Sequence, residues 1–292
     1  MLPVIDLSLF DLGNPWRDHV AAQIDWAAGE HGLFHVVGHG VEPGIADSLL
    51  ELSSAFYRQA PEATDRTHLY FGEGLAEDHA RSDVAPLVRN EYPSLPGFRE
   101  SVLDYMSALT GLAHRLMTSF GRGLRLGDNF FVDRCTSDPA TRLRIVRYPG
   151  IAPTGLPELR DSAGQTDTSL LTLIHQEEIG GLQVKSGSTW VDVPYVPGSF
   201  IIAVGDSMER LTSGRYAAAI RRVLNRSSRT GVALQFSFHP RSGTSLQSIP
   251  LLGSASAQRS RVASAGDMPV TVPAVMTRGE NVSSQTRALV AQ

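Results

Sequence analysis

The sequence predicts a single α+β domain in which a mostly helical first part precedes a series of short strands. Its 292 residues are 42% hydrophobic, which is enough to bury a large core in one domain. Patterns of helical period lie before about residue 135, and β-type segments dominate from about residue 141 onward. This segregation favours sheets that roll into a sandwich or barrel with helices packed around it.

Charge and composition favour a small-molecule partner over nucleic acid or a membrane. The net charge is -4 and no run of Lys or Arg exceeds a pair, so no surface for a polyanion is expected. No apolar stretch approaches the roughly 18 residues that span a bilayer. The N-terminus lacks a basic region followed by a long apolar run, and Cys135, the one cysteine, has no partner for an internal disulfide. The expected location is therefore the cytoplasm.

The first part alternates β-type segments with amphipathic helical segments. Apolar residues recur at helical spacing from Val20 to Ala28, and Gly32 is expected to end that helix. His35 and His39 lie at a strand end without a second ligand at metal-site spacing, so they are interpreted as structural. The predicted elements are strands at residues 4–8 and 33–37, helices at 17–32, 43–58 and 99–125, and a loop with short helical pieces at 59–96.

The second part is a series of short strands separated by Gly, Pro, Ser and Asp. In the first of them, residues 141–148, alternation places Arg144, Val146 and Tyr148 on one face of the sheet. The tail, residues 251–292, is rich in Ser and Ala and has only a weak pattern. The further predicted strands cover residues 169–174, 182–185, 190–193, 199–204, 219–224 and 232–238.

Several segments follow one protein family in order. They are Val-Ile-Asp-Leu-Ser at residues 4–8, Gly-Leu-Phe-His-Val-Val-Gly-His-Gly-Val at 32–41, and the segments at 166–174, 180–184, 190–194, 205–206 and 213–223. Over about residues 2–250, the chain resembles the isopenicillin N synthase-like branch of the Fe(II)/2-oxoglutarate-dependent oxygenases. The resemblance implies one domain over residues 1–292, with a mostly helical part at about 1–135 and a double-stranded β-helix, or jelly roll, at about 141–250.

The resemblance implies an iron site of two His and one Asp, but two of the three positions are changed. Gln165 and Arg221 stand where the family has its iron-binding His residues, and Asp167 stands at the carboxylate position. A Gln amide is a weak neutral ligand, and Arg keeps its proton and repels a divalent cation. We therefore expect no metal here and predict that Arg221 pairs with Asp167, capped by the Gln165 amide. A structural salt bridge in a dead site stays open as the alternative.

The family motifs that bind 2-oxoglutarate are changed as well. The Arg-x-Ser that holds its distal carboxylate corresponds to Gly231 and Ala233 when the strand is counted without gaps. Arg229 replaces that Arg only if the strand is shifted by two residues. The Asn-x-Tyr of the preceding strand corresponds to Val146 and Tyr148. We therefore expect neither Fe(II) nor 2-oxoglutarate as a cofactor, and we expect these positions to line a substrate pocket.

Other metal-binding or nucleophilic sets are not expected. His175, Glu177, Glu178 and His239 have suitable side chains, but they are interpreted as polar strand ends. His175 also lies too far along an extended strand to reach the changed ligand positions. Cys135 lies in a polar segment with no base beside it in sequence, so it is interpreted as a bystander.

The preferred function is a metal-independent small-molecule enzyme of specialised, natural-product metabolism, of the isomerase, lyase or cyclase type. In this interpretation Asp167 is the candidate base, and Arg221 and Arg144 bind or stabilise an anionic group. Tyr148 and Gln165 orient the substrate. The alternatives are an Fe(II)/2-oxoglutarate oxygenase with an atypical metal site and a non-catalytic binding protein. The resemblance implies a biosynthetic intermediate as substrate, and an anionic or carbonyl-bearing one suits the arginines.

Overall fold

A computed structural model of the protein describes residues 2–11, 13–59, 68–72, 90–150 and 164–250. The α-helices in these ranges are Arg17–His31 (α1), Pro43–Gln59 (α2), Phe98–Gly123 (α3) and Asp206–Leu211 (α4). The β-strands are Val4–Asp6 (β1), Leu33–Val37 (β2), His68–Gly72 (β3), Ala140–Tyr148 (β4), Leu171–Gln176 (β5), Leu182–Ser186 (β6), Thr189–Asp192 (β7), Phe200–Val204 (β8), Arg221–Val223 (β9) and Gly231–His239 (β10). The predicted tail at 251–292 lies outside the described residues.

The strands form two sheets that face each other. The large sheet has the order β1-β2-β8-β5-β10-β4-β3, and the small sheet has the order β7-β6-β9. Apolar residues from both sheets meet between them, including Ile174 and Ile201 of the large sheet and Leu182 and Val184 of the small one. This arrangement agrees with the predicted α+β class with a jelly-roll core.

The outer face of the large sheet packs against the helices. On β4, Leu143 and Ile145 are fully buried in this larger core, while Arg144 faces the other way, as the alternation predicts. Each buried aliphatic side chain of this kind contributes about 2 kcal/mol relative to its exposed state. The helices therefore fix one face of the sheet and leave the opposite face for polar groups.

The segment at residues 68–72 differs from its prediction as loop or short helix. It forms β3, an edge strand that pairs antiparallel with β4, and it buries Leu69 and Phe71 on one side. Five residues give too little alternation to identify a strand from sequence, so its neighbour β4 supplies the ladder that defines it. The rest of the predicted loop up to residue 89 lies outside the described residues.

The start of the sheet depends on a glycine that ends α1. Gly32 has a φ of 64° and its N–H donates to Ala28 O, as expected for a helix stop. A Cβ at this position would collide with the carbonyl oxygen of Ala217.

Among the described residues, no helix combines the length and the apolar character needed to cross a membrane. The extent of one domain over residues 1–292 stays a prediction.

Candidate active site

The candidate site lies on the inner face of the large sheet, where polar side chains interrupt the apolar layer between the sheets. Residues paired directly across antiparallel strands place their side chains on the same face. Arg144 on β4 pairs with Gln235 on β10, which in turn pairs with Ile174 on β5. The polar residues that share this inner face on the three strands are Arg142, Arg144, Tyr148, Thr172, Gln176, Gln235, Ser237 and His239.

Gln165 and Arg221 lie opposite each other beside the small sheet. Their backbones exchange two hydrogen bonds, from Gln165 N–H to Arg221 O at 2.9 Å and from Arg221 N–H to Gln165 O at 3.0 Å. This bridge fixes the start of β9 against the segment that leads into β5. Asp167, two residues beyond Gln165, is thereby brought to the Arg221 side chain.

The ion pair between Arg221 and Asp167 is present, as the sequence predicts. Arg221 Nη2 donates to Asp167 Oδ2, and the Thr172 hydroxyl donates to the same oxygen. The Arg221 side chain is 7% exposed and that of Asp167 is 29% exposed, so solvent reaches the pair from the Asp167 side. The site is therefore a mostly buried ion pair that is open to solvent on the Asp167 side.

The environment keeps Asp167 ionised. Burial alone would raise the pKa of Asp167, but the charge of Arg221 and the hydrogen bonds from Thr172 and Arg221 outweigh it. The charge of Arg144 adds to this effect, and the net pKa of Asp167 is lowered. A carboxylate with a lowered pKa is a weak proton acceptor at neutral pH, which disfavours the predicted role of Asp167 as a general base.

Arg144 is held by a histidine that sequence reasoning missed. Arg144 Nη2 donates to His68 Nε2 at 2.6 Å, so that imidazole nitrogen carries no proton. The guanidinium also lies 5.8 Å from the Tyr70 ring centroid. Its Nε is buried and has no hydrogen-bond partner in the described part of the chain. His68 lies 76 residues before Arg144, and no local signal in the sequence links them.

His239 lies at the far end of the same face, close enough for its pKa to respond to Arg142 and Asp167. Burial lowers the pKa of His239, the charge of Arg142 lowers it further, and Asp167 opposes both, which leaves a pKa of about 4. The imidazole is neutral at neutral pH. Within the described ranges, no three His, Cys, Asp or Glu residues lie together in a group that could hold a metal ion.

The remaining candidate ligands lie elsewhere. Glu177 Oε2 accepts a hydrogen bond from Val232 N–H at 2.6 Å, and the His175 ring lies 5.4 Å from the Phe200 ring. Both residues border an open groove beside α2 together with Glu178. Cys135 is buried, and burial raises the pKa of its thiol to about 11, which fits its interpretation as a bystander.

The residues expected to bind substrate divide between two places. Tyr148, Gly231 and Ala233 line a small cavity of about 20 Å³ near the end of β10, with Gln235 donating to the Tyr148 hydroxyl at 3.1 Å. This volume holds about one water molecule. Val146 is buried beside Ala233 and does not line the cavity. Arg144 does not line this cavity. It lies near enough to Asp167 for its charge to lower the pKa of that carboxylate.

The chain has a jelly roll with a polar site between its two sheets, and its sequence matches known protein families. Residues 140–240 match the 2OG-Fe(II) oxygenase superfamily model, and residues 2–67 match the model of the non-haem dioxygenase in morphine synthesis N-terminal region. A 1-aminocyclopropane-1-carboxylate oxidase homolog 4 of Arabidopsis thaliana is 30% identical over 245 residues, which cover 75% of this chain and 67% of the relative. The chain belongs to the 2OG-Fe(II) oxygenase superfamily.

Other relatives agree with this membership. A probable iron/ascorbate oxidoreductase of Dictyostelium discoideum is 29% identical over 298 residues, covering 82% of this chain and 81% of the relative. The dioxygenase for auxin oxidation of rice has a TM-score of 0.63 at 22% identity, covering 86% of this chain and 87% of the rice protein. JOX2, solved in complex with 2OG, Fe and JA, has a TM-score of 0.70 at 24% identity, covering 87% of this chain and 79% of JOX2. Both structural likenesses establish the fold.

Two predictions are therefore wrong. The metal-independent isomerase, lyase or cyclase is contradicted because relatives such as a 1-aminocyclopropane-1-carboxylate oxidase of Dictyostelium mucoroides and a homoarginine-6-hydroxylase of Arabidopsis thaliana are oxidative enzymes. The expectation that the chain has neither cofactor is contradicted because the matched family is defined by 2OG and Fe(II), and no finding shows that they are lost. Two changed iron-ligand positions, Gln165 and Arg221, do not by themselves show that a cofactor is lost.

The described residues nevertheless do not fit the iron ligand set that the resemblance implies. Asp167 supplies one carboxylate, Arg221 is bonded to it, and Gln165 meets Arg221 through its backbone. The cavity beside Gly231 and Ala233 is likewise lined by no Lys, Arg or His of the described chain. These positions therefore supply one carboxylate of the family's ligand set and neither of its histidines.

Proposed function

We propose that this protein is an Fe(II)/2-oxoglutarate-type oxygenase with an atypical metal site that acts on a small molecule. The observation that carries the proposal is Asp167, an ionised carboxylate at the position of the family's Asp ligand. It lies on the inner face of a jelly roll and is partly open to solvent. Family membership supplies the reaction class, since the superfamily is enzymatic and oxidative.

The residues around Asp167 define what is atypical. Arg221 is bonded to the carboxylate, and its fixed charge repels a divalent cation. Metal binding at Asp167 therefore requires Arg221 to release the carboxylate. The Thr172 hydroxyl donates to the same carboxylate oxygen and can hold its orientation when Arg221 moves.

The finer assignment follows from the segments that the chain shares with the isopenicillin N synthase-like branch. We infer that the protein belongs to that branch with altered ligand motifs. We also infer that it acts in the cytoplasm on a biosynthetic intermediate. Arg144, Arg221, Gln165 and Tyr148 are proposed to bind and orient that substrate.

Iron content and cosubstrate turnover test the proposal together. The purified protein is reconstituted anaerobically with Fe(II), and bound iron, oxygen uptake and succinate formation from 2-oxoglutarate are measured. We expect about one iron per chain and succinate formation in wild type, since one ligand set holds one iron. Asp167→Asn should lose both, whereas Asp192→Asn, which alters an exposed carboxylate paired with Arg226, should keep both.

A folded wild-type protein that binds no iron and forms no succinate would overturn the proposal. The non-catalytic binding protein would then be the surviving prediction. Iron binding that is unaffected by Asp167→Asn would refute the role of Asp167 while leaving the oxygenase class in place. The two failures are therefore distinguishable.

A further inference from the structure

Two buried guanidinium nitrogens in the site lack a hydrogen-bond partner among the described residues. They are Arg221 Nη1 and Arg144 Nε. Arg221 is only 7% exposed, so water does not freely satisfy its donor. A buried donor without a partner is destabilising, and more so when it is charged. Two such donors, on two different strands, indicate a bound ligand that accepts hydrogen bonds from them.

The charges around Asp167 point to the nature of that group. The charges of Arg221 and Arg144 lower the pKa of Asp167, and the charge of Asp167 acts to raise the pKa of Arg142. Arg221 is bonded to Asp167, and the charges of Arg144 and Arg142 interact with the same carboxylate, so positive charge is in excess around Asp167. The nearby imidazoles do not add to this charge, because His239 has a pKa of about 4 and His68 accepts a hydrogen bond from Arg144. The missing partner is an anion.

The neighbouring surface favours an organic acid. Planar guanidinium groups match the two oxygens of a carboxylate. Arg221 lies opposite Val184 on β6, and Gln235 lies between Arg144 and Ile174 in the large sheet. Aliphatic side chains of the buried cluster between the sheets therefore adjoin both arginines. An acid with a carboxylate head and an apolar body satisfies both the charged and the apolar parts of this surface.

We propose that Arg221 and Arg144 form a binding site for the carboxylate of a small organic acid. The two arginines lie on β9 and β4, away from the β10 positions of Gly231 and Ala233 that the resemblance assigns to 2-oxoglutarate. The ligand is therefore assigned as the substrate, and binding of 2-oxoglutarate at these arginines is the outcome that the test separates from it. This inference deepens the proposed function by giving its ligand class, and it is measured by binding alone.

The test compares an acid with its neutral amide. Wild-type protein is titrated calorimetrically with 3-phenylpropionate, with 3-phenylpropanamide and with 2-oxoglutarate. Arg144→Gln and Arg221→Gln are compared with Arg226→Gln, which alters an exposed arginine outside the site. We expect the acid to bind at least about tenfold more tightly than the amide, and each site variant to remove that preference. Arg226→Gln should leave it unchanged.

The pattern of losses identifies the source of the carboxylate. If the site variants weaken phenylpropionate and spare 2-oxoglutarate, the ligand is the substrate, and the reverse pattern identifies the cosubstrate. If Arg221→Gln fails to fold, Arg144→Gln alone carries the test, because Arg144 is not part of the Asp167 ion pair. Equal affinity for acid and amide, or binding that neither variant changes, would overturn the inference. Charge-dependent binding by a protein without iron would refute only the proposed function.

Discussion

Replacing Arg221 by Met tests whether the ion pair with Asp167 stabilises the fold. Breaking a fully buried pair by removing one partner costs about 3–5 kcal/mol, because the remaining charge stays buried. Asp167 is 29% exposed and keeps the hydrogen bond from Thr172, so the penalty is reduced. We expect the free energy of unfolding of Arg221→Met to fall by about 2 kcal/mol at pH 7.

The pH dependence gives the same prediction a second measurement. The folded-state pKa of Asp167 is lowered, so its contribution is present above the unfolded pKa of about 3.9 and is lost as the pH falls through the folded value. Without Arg221 the pKa of Asp167 rises, and protonation removes the buried charge. The difference in stability between wild type and Arg221→Met should therefore shrink as the pH falls from 7 towards 4.

Urea denaturation followed by tryptophan fluorescence at pH 7, 5 and 4 measures both effects. Arg226→Met is the matched control, because Arg226 pairs with Asp192 at the surface and both side chains are more than half exposed. Its expected change is within about 0.5 kcal/mol at each pH. Equal stability of Arg221→Met and Arg226→Met at pH 7 would refute the assignment of a stabilising buried pair.

Two further predictions concern positions outside the ion pair. Gly32→Ala should lower the free energy of unfolding by more than about 1 kcal/mol, because φ is 64° and the new Cβ meets the Ala217 carbonyl. Gly187→Ala, with φ 59° and open space around the new Cβ, should cost less in the same urea denaturation assay. His239→Gln should flatten the loss of stability between about pH 6.5 and 4, because the lowered pKa of His239 makes the unfolded state bind the extra proton in that window. An unchanged pH profile for His239→Gln would contradict the burial of this imidazole.

The parts of the fold that the sequence predicts best have strong, regular patterns. The alternation along β4 correctly separates Leu143 and Ile145 from Arg144, because one face of the strand is buried against helices. The glycine stop at Gly32 is equally readable, since a left-handed residue is common at helix ends. The edge strand β3 is not predicted, because its short pattern is stabilised by β4 and not by its own residues.

The candidate site is predicted only in part. The pairing of Arg221 with Asp167 follows from opposite charges at two positions that the resemblance brings together. Thr172 is ordinary in a strand, and His68 meets Arg144 only in the folded chain, so neither contact has a sequence signal. The wrong conclusion about cofactors has a physical cause as well. Side chains at three positions describe one ligand set, whereas membership of the family rests on matches across most of the chain.

Asp167 should affect iron and a carboxylate ligand in opposite directions. Its negative charge lies beside the two arginines and occupies Arg221 Nη2, so it repels an incoming carboxylate and competes with it for the guanidinium. Two like charges that share such a site repel each other by on the order of a few kcal/mol at an effective dielectric constant of about 20. Asp167→Asn should therefore tighten binding of 3-phenylpropionate by about tenfold or more while it abolishes iron binding. A structural salt bridge in a dead site predicts neither effect. Weaker binding of the acid by a folded Asp167→Asn variant would show that Asp167 assists the ligand, and the carboxylate site would then be wrong.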